Sequence, residues 1–313
     1  MEQFLQNALT CAVQVGVMAL LILVGFLLYR GKKLTDDGIK QMTYLLLWII
    51  TPCLIINSLQ NAGLTLDSVK QLGMTALSAT VSYALCIGIA LLILCRAPKQ
   101  DAGILRYAMI FSNAGFMGIP LAEAVFGSKA TPIAAIYVVF FNLLTWTLGV
   151  RFYGQKLNLK KALINPGTIG LTLGVLLVLL PKLWGGDMPV LITKPISLIA
   201  GLNLPLSMMV VGTYLVSFRL KFERRDLWLG LICLMRLLII PLLPLGVLTL
   251  LGFDPWIVAN ATVPVCAPSA ANTTLFAVQF GKDPIFSSRI VAVTTLLSIL
   301  TMPVIVALSM IRI

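Results

Sequence analysis

Apolar runs of about 20 residues recur along the whole chain, separated by short polar stretches, and each can cross about 30 Å of hydrocarbon as a helix. The pattern predicts ten spans, at roughly 8–29, 39–60, 71–95, 104–127, 131–152, 165–181, 192–218, 227–252, 256–280 and 285–311. The sixth is the shortest. The chain starts Met1-Glu2-Gln3-Phe4 with no basic leader, so the first run is expected to be a retained span rather than a cleaved signal. The expected fold class is an all-α polytopic membrane protein.

Two of the apolar runs are interrupted. Span four carries Ser112-Asn113-Ala114-Gly115-Phe116-Met117-Gly118-Ile119-Pro120, with two glycines and a proline where a continuous helix is disfavoured. Span nine carries Pro264, Pro268, Ser269, Asn272 and Thr273 at the matching place. Unwound backbone costs several kcal/mol per unpaired group in lipid, so both breaks are expected to be buried against protein or a wet cavity.

The two interruptions belong to a repeat. Pro52 and Pro205 lie mid-span at an offset of 153, the sequences ending in Gly127 and Gly281 align at 154, and Thr131-Pro132 and Asp283-Pro284 open the next spans at 152. Residues 1–152 and 153–313 therefore read as two five-helix repeats. An odd number of spans per repeat inserts the second upside down, an arrangement common in secondary transporters.

Composition sharpens this picture. Hydrophobic residues make up 59% and charged residues 11% of the chain, with a mean hydropathy of +1.00, far from the balance of a soluble domain. The net charge of +12 does not point to nucleic acid, because the basic residues sit in short loops beside apolar spans. Seventeen fall in loops after odd-numbered spans, against five at the termini and even-numbered loops, namely Lys70, Lys129, Lys182, Lys194 and Arg312. The positive-inside rule then places the odd loops in the cytoplasm and both termini outside.

The six cysteines all lie in apolar runs without CxxC spacing and read as small hydrophobes. The chain has no histidine, no Gly-x-Ser-x-Gly elbow and no paired intramembrane acids, so a membrane-embedded enzyme is not expected, and neither is a cofactor or metal. A receptor or sensor would need an output domain for which the spans leave no room.

At the breaks, each second half-helix turns its N-terminus, with its partial positive charge, toward mid-membrane. Asn113, Ser112, Ser269, Asn272 and Thr273 either cap the freed backbone or bind a substrate carboxylate there, with Gly115, Gly118, Pro120 and Pro268 shaping the site. Pro52 and Pro205 read first as kinks. Arg236, deep in span eight, either attracts an anion, closes an ion pair or bridges backbone carbonyls. Glu123, one turn past the first break, is the candidate titrating carboxylate unless it reaches the outer interface. Coupling through a proton on Glu123, or through sodium on broken-helix carbonyls, stays open at this stage.

The stretches Asn113-Ala114-Gly115-Phe116-Met117-Gly118-Ile119-Pro120-Leu121, Ala267-Pro268-Ser269-Ala270-Ala271-Asn272 and Asn165-Pro166 carry a resemblance. Over essentially its whole length, the chain resembles bacterial members of the auxin efflux carrier family, relatives of the PIN-type auxin exporters and of malonate and malate permeases. The resemblance implies crossing broken helices, scaffold and transport domains each drawn from both repeats, carboxylate substrates, elevator-type alternating access, a homodimer and a bacterial inner membrane. A sodium-coupled symporter of the bile-acid type is the alternative, its fold being related. Plant exporters have Asn-Pro-Asn-Thr-Tyr at the first crossover. This chain has Ser112-Asn113-Ala114-Gly115-Phe116, and its connection between spans five and six is short, which argues against indole acetate as substrate.

Overall fold

A computed structural model describes residues 2–62, 66–156, 160, 164–184, 188–217 and 225–311. The basic residues Lys161, Arg219, Lys221, Arg224 and Arg312, counted in the charge pattern, lie outside the described residues, as does the last residue of the seventh run. Among the described residues the fold is all-helical, without strands.

Counting as one the helices joined through a π turn, and the two that meet at Leu202, there are twelve segments among the described residues. They are α1 (Glu2–Arg30), α2 (Asp36–Gln60), α3 (Leu66–Ile93), α4 (Ala102–Ile110), α5 (Ala114–Phe126), α6 (Thr131–Phe152), α7 (Pro166–Trp184), α8 (Val190–Tyr214), α9 (Asp226–Leu250), α10 (Pro255–Cys266), α11 (Asn272–Gln279) and α12 (Pro284–Ser309). Seven of them, α1, α2, α3, α6, α8, α9 and α12, are long and apolar enough to cross a membrane. Shorter apolar helices lie within α5, α7 and α10. The run read as span four is divided into α4 and α5, and that read as span nine into α10 and α11.

The helix starts are written in local chemistry. Asn165 accepts hydrogen bonds from the amides of Gly167 (2.9 Å) and Thr168 (3.1 Å), with Pro166 at the first helical position of α7. Asp254 caps α10 through Trp256 N, and Asp283 caps α12 through the amides of Ile285 and Phe286. Thr131 differs from its repeat partner Asp283. The 3-10 turn Ser128–Ala130 runs straight into α6, so Ala130 is the cap and Thr131 is already helical.

Packing repeats under a shift of six segments. The second half of α8 lies along α1, and α7 lies along α2; α3 meets α6 as α9 meets α12; α5 meets α10 as α11 meets α4. Reciprocal pairs of this kind are what a two-fold relation between halves produces. Small residues allow the closest approaches. A Cβ on Gly25 would stand 2.0 Å from Met209 O, and one on Gly212 2.0 Å from Ile22 O, so α1 and α8 touch backbone to backbone. On α7, a Cβ on Gly170 would stand 2.9 Å from Pro52 Cα, and one on Gly174 2.7 Å from the Leu59 side chain and 3.2 Å from Ile56 Cα.

Leucines and other apolar side chains such as Leu20, Leu27, Leu92, Leu198, Leu242 and Leu300 are exposed on the outside of the bundle. Several buried hydroxyls are satisfied inward instead: Ser58, Ser82, Thr262 and Thr294 each donate to the carbonyl four residues earlier.

Candidate functional site

The two interrupted runs meet at their breaks. Ala267 is driven to an extended backbone by Pro268, ending α10, and Phe111 is likewise extended at the end of α4. The unwound strands pair antiparallel at Ser112 and Ser269, with Asn113 N donating to Pro268 O (2.7 Å) and Ala270 N to Phe111 O (2.9 Å). Ser269 Oγ donates to Ala108 O (2.9 Å), and Ser269 N to Thr294 Oγ1 (3.3 Å). Thus each break satisfies the other's freed backbone groups, as a buried non-helical stretch requires.

The second halves, α5 and α11, begin here; in α11 the amides of Thr273 and Thr274 already donate to Ala270 O and Ala271 O, and in α5 those of Met117 and Gly118 donate to Asn113 O. Gly118 permits this juxtaposition: a Cβ there would lie 3.0 Å from Pro264 Cα. Gly115 O accepts from Asn203 Nδ2 (3.0 Å), which ties α8 to the first break. Ser112, Asn113, Ser269, Asn272 and Thr273 are all buried, and Asn113 Nδ2 and Thr273 Oγ1 find no hydrogen-bond partner among the described residues.

A cavity of about 390 Å³ leads toward this point. Its walls are Thr43, Tyr44, Leu47 and Trp48 of α2, Asn142 and Trp146 of α6, Pro166 of α7, and Asn272, Leu275, Phe276 and Gln279 of α11, with Lys40 at its rim. Leu47, Asn142 and Asn272 also line a void of about 20 Å³ beside Asn113, Gly115 and Phe116. Asn272 therefore joins cavity and crossover. The lining residues nearest loops, Lys40, Ile164 and Gln279, belong to the ends bearing the odd-numbered connections, so the cavity opens on that side.

Arg236 stands behind the crossover, sharing a small space with Ser112, and not in the cavity. It is 1% exposed and lines neither the cavity nor the crossover void. Its guanidinium donates to Met109 O (3.1 Å) and Ile110 O (3.3 Å) at the end of α4, and to Ala267 O (3.1 Å) and Val265 O at the end of α10. No carboxylate pairs with it among the described residues. Of the roles left open by the sequence, this geometry is the bridge to backbone carbonyls, and it spans both interrupted runs.

Glu123 lies on the exposed side of α5 and lines neither space. Pro52 is buried against Gly170, whereas Pro205 sits in the first helical turn after a break in α8 at Gly201–Leu202. Asn203 and Asn142 were not singled out by the sequence reading. Asn142 lies inside a continuous helix, whereas Asn203 is the first helical residue after the break at Gly201–Leu202, where the Asn203-Leu204-Pro205 context places a capping residue beside a proline.

Apolar helices of spanning length around two interrupted runs make this a multi-pass membrane protein. The sequence pattern of the family described as Membrane transport protein matches this chain twice, over residues 12–157 and 151–306. The chain belongs to that family, which includes the auxin efflux carriers. It is also 26% identical over 293 residues to an uncharacterized transporter of Methanothermobacter thermautotrophicus, covering 90% of this chain and 93% of that one.

Proposed function

We propose that this membrane transporter is a secondary carrier of small organic anions, carboxylates such as malate or malonate, which bind at the crossover of the two interrupted spans. The observation that carries this reading is the cavity whose wall includes Asn272, the first residue of α11, so that the positive end of a helix meets space for a solute. Asn113, with an unpartnered amide, and Thr273 complete the polar set.

In this reading the twelve segments form ten spans, in two repeats of opposite orientation divided near residue 152. The reciprocal packing of α1 with α8 and α7 with α2 supports that division, as does the double match of the family pattern. The scaffold comprises α1, α2, α7 and α8, and the transport domain the remaining segments. An elevator-type displacement of the transport domain exposes the crossover alternately. The cavity, open toward the basic odd-numbered loops, corresponds to the inward-facing state, with both termini outside the cell membrane and two chains forming the working unit.

The test is counterflow of labelled malonate and malate into proteoliposomes, with Asn272→Ala as the paired variant. Flux that Asn272→Ala loses while retaining wild-type monodispersity is the expected result. Flux that the variant keeps, with unchanged apparent affinity, removes the crossover from the binding site, and absence of wild-type flux moves the substrate outside small dicarboxylates.

A further inference from the structure

The carbonyl oxygens of Met109, Ile110, Val265 and Ala267 converge on one point from the C-terminal ends of α4 and α10. Such ends carry about half an elementary negative charge each, so two of them meeting in a buried place amount to about one negative charge. Oxygens so arranged, at the ends of half-helices inside a membrane protein, have the donor chemistry that binds sodium in carriers with broken helices. Here the place is filled by a side chain. Arg236 reaches it from α9, is buried, keeps its charge as guanidinium groups do in proteins, and has no carboxylate partner among the described residues. The space next to it, bounded by Ser82, Tyr83, Cys86 and Ser112, is only about 10 Å³, at the lower limit for one water and too small for a hydrated ion.

We infer that the Arg236 guanidinium is a built-in substitute for a co-transported cation at the crossover. The inference rests on the crossover being the substrate site. Two consequences follow from the charges. The negative ends of α4 and α10 are cancelled whether or not substrate is present, so the first halves need no sodium to become neutral. The N-termini of α5 and α11, about half a positive charge each, are then the uncompensated poles, and together they balance one carboxylate. The site is thus complete for a singly charged anionic group without a sodium ion beside it, and the charge that a sodium symporter would load and release in each cycle is carried permanently on α9.

Melting temperature provides a readout that needs no substrate. The purified full-length chain is melted in detergent with sodium, choline or millimolar guanidinium chloride at equal ionic strength. Wild type is expected to melt alike in all three. Arg236→Ala leaves four buried carbonyls without their donor, so it should melt lower in choline and recover with guanidinium, and in part with sodium. In counterflow, whichever of malonate or malate is carried should enter at the same rate in sodium and choline. Arg236→Ala should lose about tenfold or more of that flux in choline, as expected for leaving buried groups unpaired, and regain part of it with guanidinium.

Wild type stabilised specifically by sodium, or a sodium-dependent wild-type flux, would overturn the inference even if Arg236→Ala fails to fold. An Arg236→Ala protein that folds and is indifferent to both cations would overturn it as well. Absence of any wild-type flux, with the melting pattern as expected, would count against the substrate reading and leave Arg236 as the cation substitute.

Discussion

At the scale of single residues, the glycines separate geometric necessity from indifference. A methyl group at Gly25 or Gly212 would overlap backbone atoms of the opposing helix, whereas one at Gly16 on the same α1 meets nothing within 4 Å. We expect Gly25→Ala and Gly212→Ala to lower the melting temperature in detergent and Gly16→Ala to leave it unchanged. Equal melting of all three would show that α1 and α8 do not depend on this contact. Asn203 makes a comparable point about the site. Its single hydrogen bond to Gly115 O holds the first break against α8, and Asn203→Ala is expected to cost about 1 kcal/mol of stability, measured by thermal or denaturant unfolding. Glu123 is exposed away from the cavity, so Glu123→Gln should leave substrate affinity in counterflow unchanged. PH-driven accumulation surviving in that variant would separate Glu123 from coupling as well.

At the scale of elements, prolines explain most of the irregular helix. Three of the four π segments among the described residues, Leu46–Ile50, Ala114–Gly118 and Met235–Ile239, end two residues before a proline: Pro52, Pro120 and Pro241. A proline ring collides with the carbonyl four residues back, here that of Trp48, Phe116 or Leu237, and widening the preceding turn relieves the collision. The π segment Thr145–Gly149 has no such proline. Arg236 lies within the segment set by Pro241. Pro241→Ala is expected to let α9 return to a regular α-turn, rotate Arg236 off the carbonyls and reduce counterflow flux while the protein stays monodisperse; wild-type flux would refute this coupling.

Arg225 ties three helix starts together. It pairs with Asp101 before α4 and with Asp283 before α12 (2.7 Å), and stacks 4.3 Å from the Phe286 ring centre. Partial burial pushes the Asp283 carboxyl upward, but the amide of Phe286, Arg225 and the amide of Ile285 outweigh it and hold the group below the ordinary carboxylate range. A folded pKa below the unfolded value of about 3.9 gives stability that is complete above that value and lost as pH falls through the folded one. Melting temperature should therefore drop on acidification below about pH 4, and drop less in Asp283→Asn.

At the scale of the whole molecule, the cavity beside the two breaks lies toward the ends bearing Lys40, Ile164 and Gln279. In a variant without native cysteines, Lys40→Cys should react with a membrane-impermeant thiol reagent applied from the cytoplasm and not from outside; the reverse would invert the proposed orientation. Much of the architecture was legible beforehand, because lipid imposes its own rules on sequence. Apolar runs of spanning length had to be helices, and Pro268 marked the second break, since propensity and the missing proline N–H act locally. Gly115, Gly118 and Pro120 announced irregularity in span four, but the helix resumes through them as a π turn and the break itself falls just before, at Phe111–Asn113. The offset between Pro52 and Pro205 announced the repeat for the same local reason. Which polar groups meet was another matter. Asn203 on Gly115, Asn142 at the cavity, and the guanidinium of Arg236 on carbonyls more than 100 residues away in α4 are pairings between elements remote in the chain. A buried arginine announces that it must find partners, but carbonyl oxygens occur at every residue, so only the packing of α9 against α4 and α10 could decide which ones it would meet.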